Sequence, residues 1–192
     1  MYPRVGIDEV GRGPLAGPVT VCALYLSRDI SFFSSRIKDS KQLNPQKRRE
    51  IYQRLLLLKK QGIINWSVKS KSARYIDIHG ISHAIHRLIN ETLHAVQATR
   101  TTPILLDGGL RASKEYTNQQ TIVRGDAHEE AIALASIIAK VTRDRYMTGI
   151  ALRYPLYAFD EHKGYGTDGH YKALRKHGPS PLHRRTFLSQ KN

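Results

Sequence analysis

The chain has 192 residues, 40% of them apolar, which suffices for one domain with a real core. Its formal net charge of +15 points to a polyanionic partner, with nucleic acid the commonest. It has no run of 18 apolar residues, so no transmembrane helix is expected, and its first residues lack the pattern of a signal peptide. The lone cysteine, Cys22, excludes an internal disulfide and fits a reducing cytoplasm.

Arg4 to Val10 reads as a strand that ends on two adjacent carboxylates, Asp8 and Glu9. A charged pair inside an apolar run is costly without a partner. Gly11, Gly13, Pro14, Gly17 and Pro18 then form a constrained turn. Val19 to Leu26 is a second, nearly continuous apolar strand, so a hairpin is expected. The spaced glycines do not form a dinucleotide fingerprint, because the third glycine is misplaced and no acid follows at the right distance.

Asn44-Pro45 supplies an N-cap and a first-turn proline for a helix to about Lys60, with Ile51, Leu55 and Leu58 on one face and Gly62 ending it. A short strand over Ile63 to Lys69 follows. Ser72 then opens a helical turn. A longer helix after Gly80 places Ile81, Ile85, Leu88, Thr92 and Ala95 on its inner face. Ile104 to Asp107 is a buried strand ending on a carboxylate before Gly108-Gly109. Thr121 to Val123 is another short strand, with Gly125-Asp126 after it. A helix from His128 to about Met147 carries Ala131, Ala135, Ile138, Ala139 and Thr142 inward, a face small enough to lie close against a sheet. Beyond Tyr154 the chain is rich in Gly, His, Lys and Arg, with a helix expected over His170 to His177. Residues 155–192 are expected to be a basic extension of a single domain spanning 1–192.

Three strand ends thus each bring an acid to one edge: Asp8 with Glu9, Asp107, and Asp126. Ligands of open α/β sheets bind at such ends. Converging carboxylates repel one another, and a hard divalent cation such as Mg²⁺ or Mn²⁺ offsets that repulsion. Two such ions form the usual clamp for phosphodiester hydrolysis. Other readings stay open at this point. Asp126 with Glu129 is also a capping box for the long helix, and Asp107 is also a plausible turn residue. Asp144 either pairs with Arg143 or Arg145 or borders the metal site. His162, His170, His177 and His183 match no zinc spacing, and nucleic-acid contacts or plain surface are expected of them.

These residues, taken in order, resemble the bacterial ribonuclease HII family along nearly the whole chain. The resemblance rests on residues 6–18, Asp39-Ser40-Lys41, Leu106-Asp107-Gly108, Gly125-Asp126-Ala127, Ala135 through Asp144, His162 through Thr167, and Gly178 through Arg185. It implies an RNase H-like α/β fold: a mixed five-stranded sheet flanked by helices, with a helical C-terminal extension. It implies that Asp8, Glu9, Asp107 and Asp126 are the catalytic, metal-binding acids of a two-metal Mg²⁺ or Mn²⁺ site. The implied enzyme is an endonuclease that cuts the RNA of RNA–DNA hybrids. It also nicks 5′ to a single ribonucleotide in duplex DNA, leaving 3′-hydroxyl and 5′-phosphate ends. Removal of misincorporated ribonucleotides and RNA primers follows from that activity, by a monomeric cytoplasmic enzyme with no membrane partner.

The resemblance further implies that the backbone of Gly11-Arg12-Gly13 senses the ribose 2′-hydroxyl, the group that separates RNA from DNA, and that Tyr165 packs on the sugar. Lys41, Lys163, Arg184 and Arg185 are expected to contact phosphates. Two departures are visible: Gly109 stands where the family commonly has Asn, and His128 where it commonly has Lys. Neither removes an acid. The sister ribonuclease HIII family usually carries an extra N-terminal domain and a different glycine loop, so the HII type is expected.

Overall fold

In the computed structural model the described residues are 2–30 and 44–188. The Asp39-Ser40-Lys41 segment, and with it the expected phosphate contact Lys41, lies outside them.

Five strands form one mixed sheet in the order β3-β2-β1-β4-β5. Strand β1 (Arg4–Val10) and β2 (Val19–Leu26) make the expected antiparallel hairpin, and β3 (Ile64–Lys71) extends it antiparallel. Strand β4 (Ile104–Asp107) runs parallel to β1, and β5 (Gln119–Ile122) runs parallel to β4. Three parallel strands therefore end at one edge. Strand β5 lies earlier than expected, and Val123 falls beyond it with its side chain in solvent.

Side chains alternate along β1 and β2. Val5 and Ile7 pack with Ile85, Leu88 and Leu93 of helix α3 (Ile81–Ala95) on one face. Cys22 and Leu24 meet Ile51 and Leu55 of α1 (Pro45–Lys60) on the other. Asn44 caps α1 by accepting the Lys47 amide at 2.8 Å. Gly62 ends it at φ +72°, where its amide reaches the Lys59 carbonyl. A short α2 (Ala73–His79) is capped by Ser72, as its sequence suggests. On α3 the inner face is Ala84, Ile85, Leu88, Ile89, Thr92 and Leu93, whereas Ala95 is exposed and Val96 after it takes the buried place.

The long helix begins at Glu130 rather than His128. A separate turn, α4 (Gly125–His128), precedes it, and Glu129 between them is extended (φ −113°, ψ 116°). Asp126 lies inside α4, so the capping box with Glu129 does not form. Helix α5 (Glu130–Ala151) buries Ala131, Ala135, Ile138 and Ala139 as expected, and Thr142 is half-buried. The small-residue face has a direct purpose. A Cβ on Gly6 of β1 would lie 2.2 Å from the Ala131 carbonyl carbon, so strand and helix meet at a distance only glycine allows.

After a 3-10 turn over Pro155–Tyr157 come α6 (Phe159–His162), α7 (Asp168–His177) and α8 (Arg185–Leu188). They pack onto the body through Ala16, Met147, Ala151, Tyr157 and Phe159. Among the described residues no helix is long and apolar enough to cross a membrane.

Candidate active site

The parallel register decides where the acids lie. Ile7 pairs with Leu106, so the next step sets Asp8 beside Asp107 at the carboxyl ends of β1 and β4, on strands about 4.8 Å apart. Asp8 points to the α5 face, where the Ser136 side chain hydrogen-bonds to it. Glu9 alternates to the opposite side. Asp126 enters from the turn after β5, and its amide approaches Asp107 Oδ1 at 3.4 Å. Asp8 and Asp126 are buried, whereas Glu9 and Asp107 are half-buried.

Asp8, Glu9 and Asp107 line one cleft of about 390 Å³ together with Val10, Arg48, Ser136, Lys140 and Tyr165. Asp126 is buried next to Asp107. Burial pushes the Asp8 carboxyl up to about 8, and the neighbouring Glu9 and Asp107 push the same way, against the Ser136 hydrogen bond. Glu9 is also raised by burial, and Arg12, whose Nη1 lies 3.7 Å from Glu9 Oε1, opposes the shift. Among the described residues no three acidic, histidine or cysteine side chains are grouped closely enough to hold a metal ion. The acids at the cleft nonetheless offer oxygen donors only, the kind a hard divalent cation favours.

The turn over residues 11–18 forms the neighbouring wall, and two buried arginines hold it. Arg184 donates from Nε to the Gly17 carbonyl (3.1 Å), from Nη1 to Arg12 (2.9 Å) and from Nη2 to Gly11 (2.6 Å). Arg143 donates from Nε to Pro18 (2.9 Å) and from Nη2 to Ala16 (3.2 Å). This corrects the expectation for Arg184. It is fully buried and spent on backbone carbonyls, so it cannot reach a phosphate. Burial, reinforced by Arg143, brings its pKa down to about 9.

The two glycines of the loop differ. Gly11 has φ +86°, and its missing side chain makes room for the Arg143 guanidinium, 2.3 Å from where a Cβ would lie. Gly13 has nothing within 4 Å of that position and faces open space. Arg12 is exposed.

Tyr165 is 40% exposed at the cleft, with Lys140 Nζ and the Arg143 guanidinium carbon each 5.8 Å from its ring centre. Lys163, half-buried, donates its ammonium to the Asp160 carbonyl. Arg185 is exposed, and its amide donates to Asp77. Asp144 pairs with neither Arg143 nor Arg145. It binds Lys140 Nζ at 2.8 Å, one helical turn away, and does not line the cleft.

His170 and His183 are fully buried, contrary to the surface role expected of them, and His162 is half-buried. Residue chemistry alone does not single out Ser136, Lys140 or Arg48. For Ser136 and Lys140 the signal is the i, i+4, i+8 spacing of Ser136, Lys140 and Asp144, a polar stripe on an otherwise apolar helix, and Arg48 on α1 carries none.

With this geometry in place, the comparison with known proteins is direct. The model of the family described as Ribonuclease HII matches residues 5–190. The chain belongs to the ribonuclease HII family. With that membership comes the enzyme class, a ribonuclease H. Ribonuclease HII of Endomicrobium trichonymphae is 42% identical over 188 residues, covering 97% of this chain and 85% of the relative. The crystal structure of ribonuclease H2 from Pyrococcus horikoshii OT3 superposes with a TM-score of 0.72 at 26% identity, covering both chains completely. Bst-RNase HIII, solved in complex with Mn²⁺, shares the fold at a TM-score of 0.72 and 18% identity, covering 99% of this chain and 68% of that one.

Proposed function

We propose that this chain is a divalent-metal-dependent endoribonuclease. It cuts the RNA strand of RNA–DNA hybrids and nicks 5′ to single ribonucleotides in duplex DNA, leaving 3′-hydroxyl and 5′-phosphate ends. The observation that carries the reading is the adjacency of Asp8 and Asp107 at the ends of parallel strands, in a cleft that also takes in Glu9 and Tyr165. The Mn²⁺ complex of a protein with the same fold supports the metal.

Asp8, Glu9, Asp107 and Asp126 would hold two Mg²⁺ or Mn²⁺ ions. When bound, such ions lower the pKa of an attacking water and stabilise the leaving 3′-oxygen. Asp8 and Asp107 present oxygens from adjacent strands, and Glu9 presents one from the far side of β1. Asp126, next to Asp107, orients it through its amide. Ser136 fixes the Asp8 carboxyl. Arg12 opposes the upward shift that burial imposes on the Glu9 carboxyl.

Selection of the ribonucleotide falls to the backbone of Gly11-Arg12-Gly13 and to the ring of Tyr165. The open space at Gly13 leaves room for a sugar to approach the loop. Lys163 and Arg185 would meet phosphates. Ribonucleotide removal and primer removal are the corresponding roles. The reading includes one catalytic domain acting as a cytoplasmic monomer, and the buried, unpaired Cys22 is compatible with a reducing compartment.

The test is a duplex with one ribonucleotide, incubated in Mg²⁺, in Mn²⁺ and in EDTA beside an all-DNA duplex. A metal-dependent nick 5′ to the ribonucleotide, with the control intact, supports the reading. Cutting of both duplexes, or binding without cutting in either metal, overturns it.

A further inference from the structure

Behind Tyr165 lies a chain of hydrogen bonds whose direction is fixed at one end. Ser180 offers two donors to one atom: its amide lies 2.9 Å and its hydroxyl 2.8 Å from His183 Nδ1. The hydroxyl in turn accepts the Leu182 amide. A backbone N–H only donates, so His183 Nδ1 is an acceptor and its proton is on Nε2. That Nε2 lies 2.9 Å from His170 Nε2, which must accept. His170 therefore carries its own proton on Nδ1 and donates it to the Tyr165 carbonyl, 2.9 Å away. The Ser180 amide and hydroxyl share the one lone pair of His183 Nδ1, every other donor has its own acceptor, and both rings are neutral.

The surroundings hold this arrangement. His162 stacks on His170 at 4.2 Å between ring centres, accepts the Gly164 amide at Nδ1 and donates from Nε2 to the Tyr157 carbonyl. The rings of Tyr157 and Phe159 close around His183 at 5.1 and 5.6 Å. Arg184 and Arg185 follow His183 directly, and the Arg185 charge disfavours a further proton there. Burial lowers the basicity of both His170 and His183. A second proton on either ring would turn two N–H groups against each other.

We propose that His183 and His170 are positioning residues that fix the Tyr165 backbone, and through it the angle at which the Tyr165 ring meets the substrate sugar. The inference rests on the reading of Tyr165 given above. His170 touches no substrate. It acts by holding one carbonyl, while His162 holds the amide of the residue before it.

The experiment is a double-mutant cycle on the duplex with a single ribonucleotide in Mn²⁺, measured as single-turnover cleavage and as KM. His170→Ala should slow cleavage about tenfold when Tyr165 is present and less than twofold when Tyr165 is already Ala. His170→Asn keeps a donor at the Nδ1 position and should restore most of the rate. An equal loss in both backgrounds, or an Asn variant as slow as the Ala variant, overturns the proposal. If His170→Ala does not fold, the cycle is run with His183→Asn, which keeps the acceptor for Ser180 but removes the donor to His170. A wild-type protein inert on this duplex removes the underlying reading and the positioning role with it. A wild type that cuts, combined with an additive cycle, removes the positioning role alone.

Discussion

Arg184 and Gly11 stand 173 positions apart in the sequence, yet Arg184 Nη2 donates to the Gly11 carbonyl oxygen at 2.6 Å. Among the described residues neither Arg184 nor its buried neighbour Arg143 has a carboxylate in contact. Carbonyls of one turn instead accept from all three Arg184 nitrogens and from Nε and Nη2 of Arg143, whose buried Nη1 has no hydrogen-bond partner among the described residues. Buried charge is costly, and these carbonyl dipoles offset part of that cost. The turn supplies carbonyls because its glycines and prolines leave them without a ladder partner.

Replacing Arg184 by Met keeps the bulk and strands the carbonyls of Gly11, Arg12 and Gly17. Each buried unsatisfied group costs about 1–3 kcal/mol, so a clear fall in Tm is expected. Arg184→Lys should recover only part of it, because one ammonium cannot reproduce the planar fork. Thermal melts of the two variants check this, and a Lys variant as stable as wild type would contradict it.

Gly6 and Gly13 should respond oppositely to the same change. Gly6→Ala forces a methyl into the Ala131 backbone, and the strand and helix must separate. Its loss should reach roughly 3 kcal/mol, as for overpacking generally. Gly13→Ala meets nothing inside the protein. It should leave Tm unchanged while lowering ribonucleotide cleavage at least tenfold. Melting curves beside cleavage assays separate the two effects.

Asp8→Asn is expected to abolish cleavage and to stabilise the metal-free fold. Burial beside Glu9 and Asp107 raises the Asp8 carboxyl to about 8, so the metal-free fold must take up a proton there near neutral pH, and an amide of the same shape is spared that cost. Melting in EDTA should show a higher Tm for the variant. Added Mn²⁺ should raise the wild-type Tm more than that of the variant.

The histidine pair sets an acid limit. The His183 pKa falls from 6.5 to about 4, first through burial and then through His170. The folded state thus binds fewer protons than the unfolded chain between those values. Its contribution is fully present above pH 6.5 and is lost as pH falls toward 4. The slope is at most about 1.4 kcal/mol per pH unit. His183→Gln should flatten stability against pH over this window, as measured by denaturant unfolding at pH 7, 6 and 5.

The edge of acids was legible because a carboxylate at the end of an apolar strand is expensive wherever it lies. Asp8 and Asp107 met that criterion from their neighbours alone. The capping of α1 was legible for a similar reason, since Asn44-Pro45 acts locally. The tail was not legible. Its Gly, His and Arg content suggests a wet surface, yet His170, His183 and Arg184 are buried. Hydrophobic periodicity cannot detect a polar side chain whose partner is a distant carbonyl. The start of α5 was displaced for a related reason, because Glu129 takes an extended conformation that no propensity at that position demands.

The Leu15 and Ala16 amides both donate to the Gly164 carbonyl, and a Cβ on Gly164 would lie 2.3 Å from the Ala16 carbonyl oxygen. A chain leaving the ribosome exposes its first loop long before residue 164 is made. Until then the loop has no mould, although the strand carrying Asp8 and Glu9 is already available. A nascent or prematurely terminated polypeptide would hold three of the four proposed metal-binding acids once residue 107 has emerged, and still lack the settled loop proposed to distinguish one sugar from another. On that reading the order of synthesis delays selectivity until late in the chain.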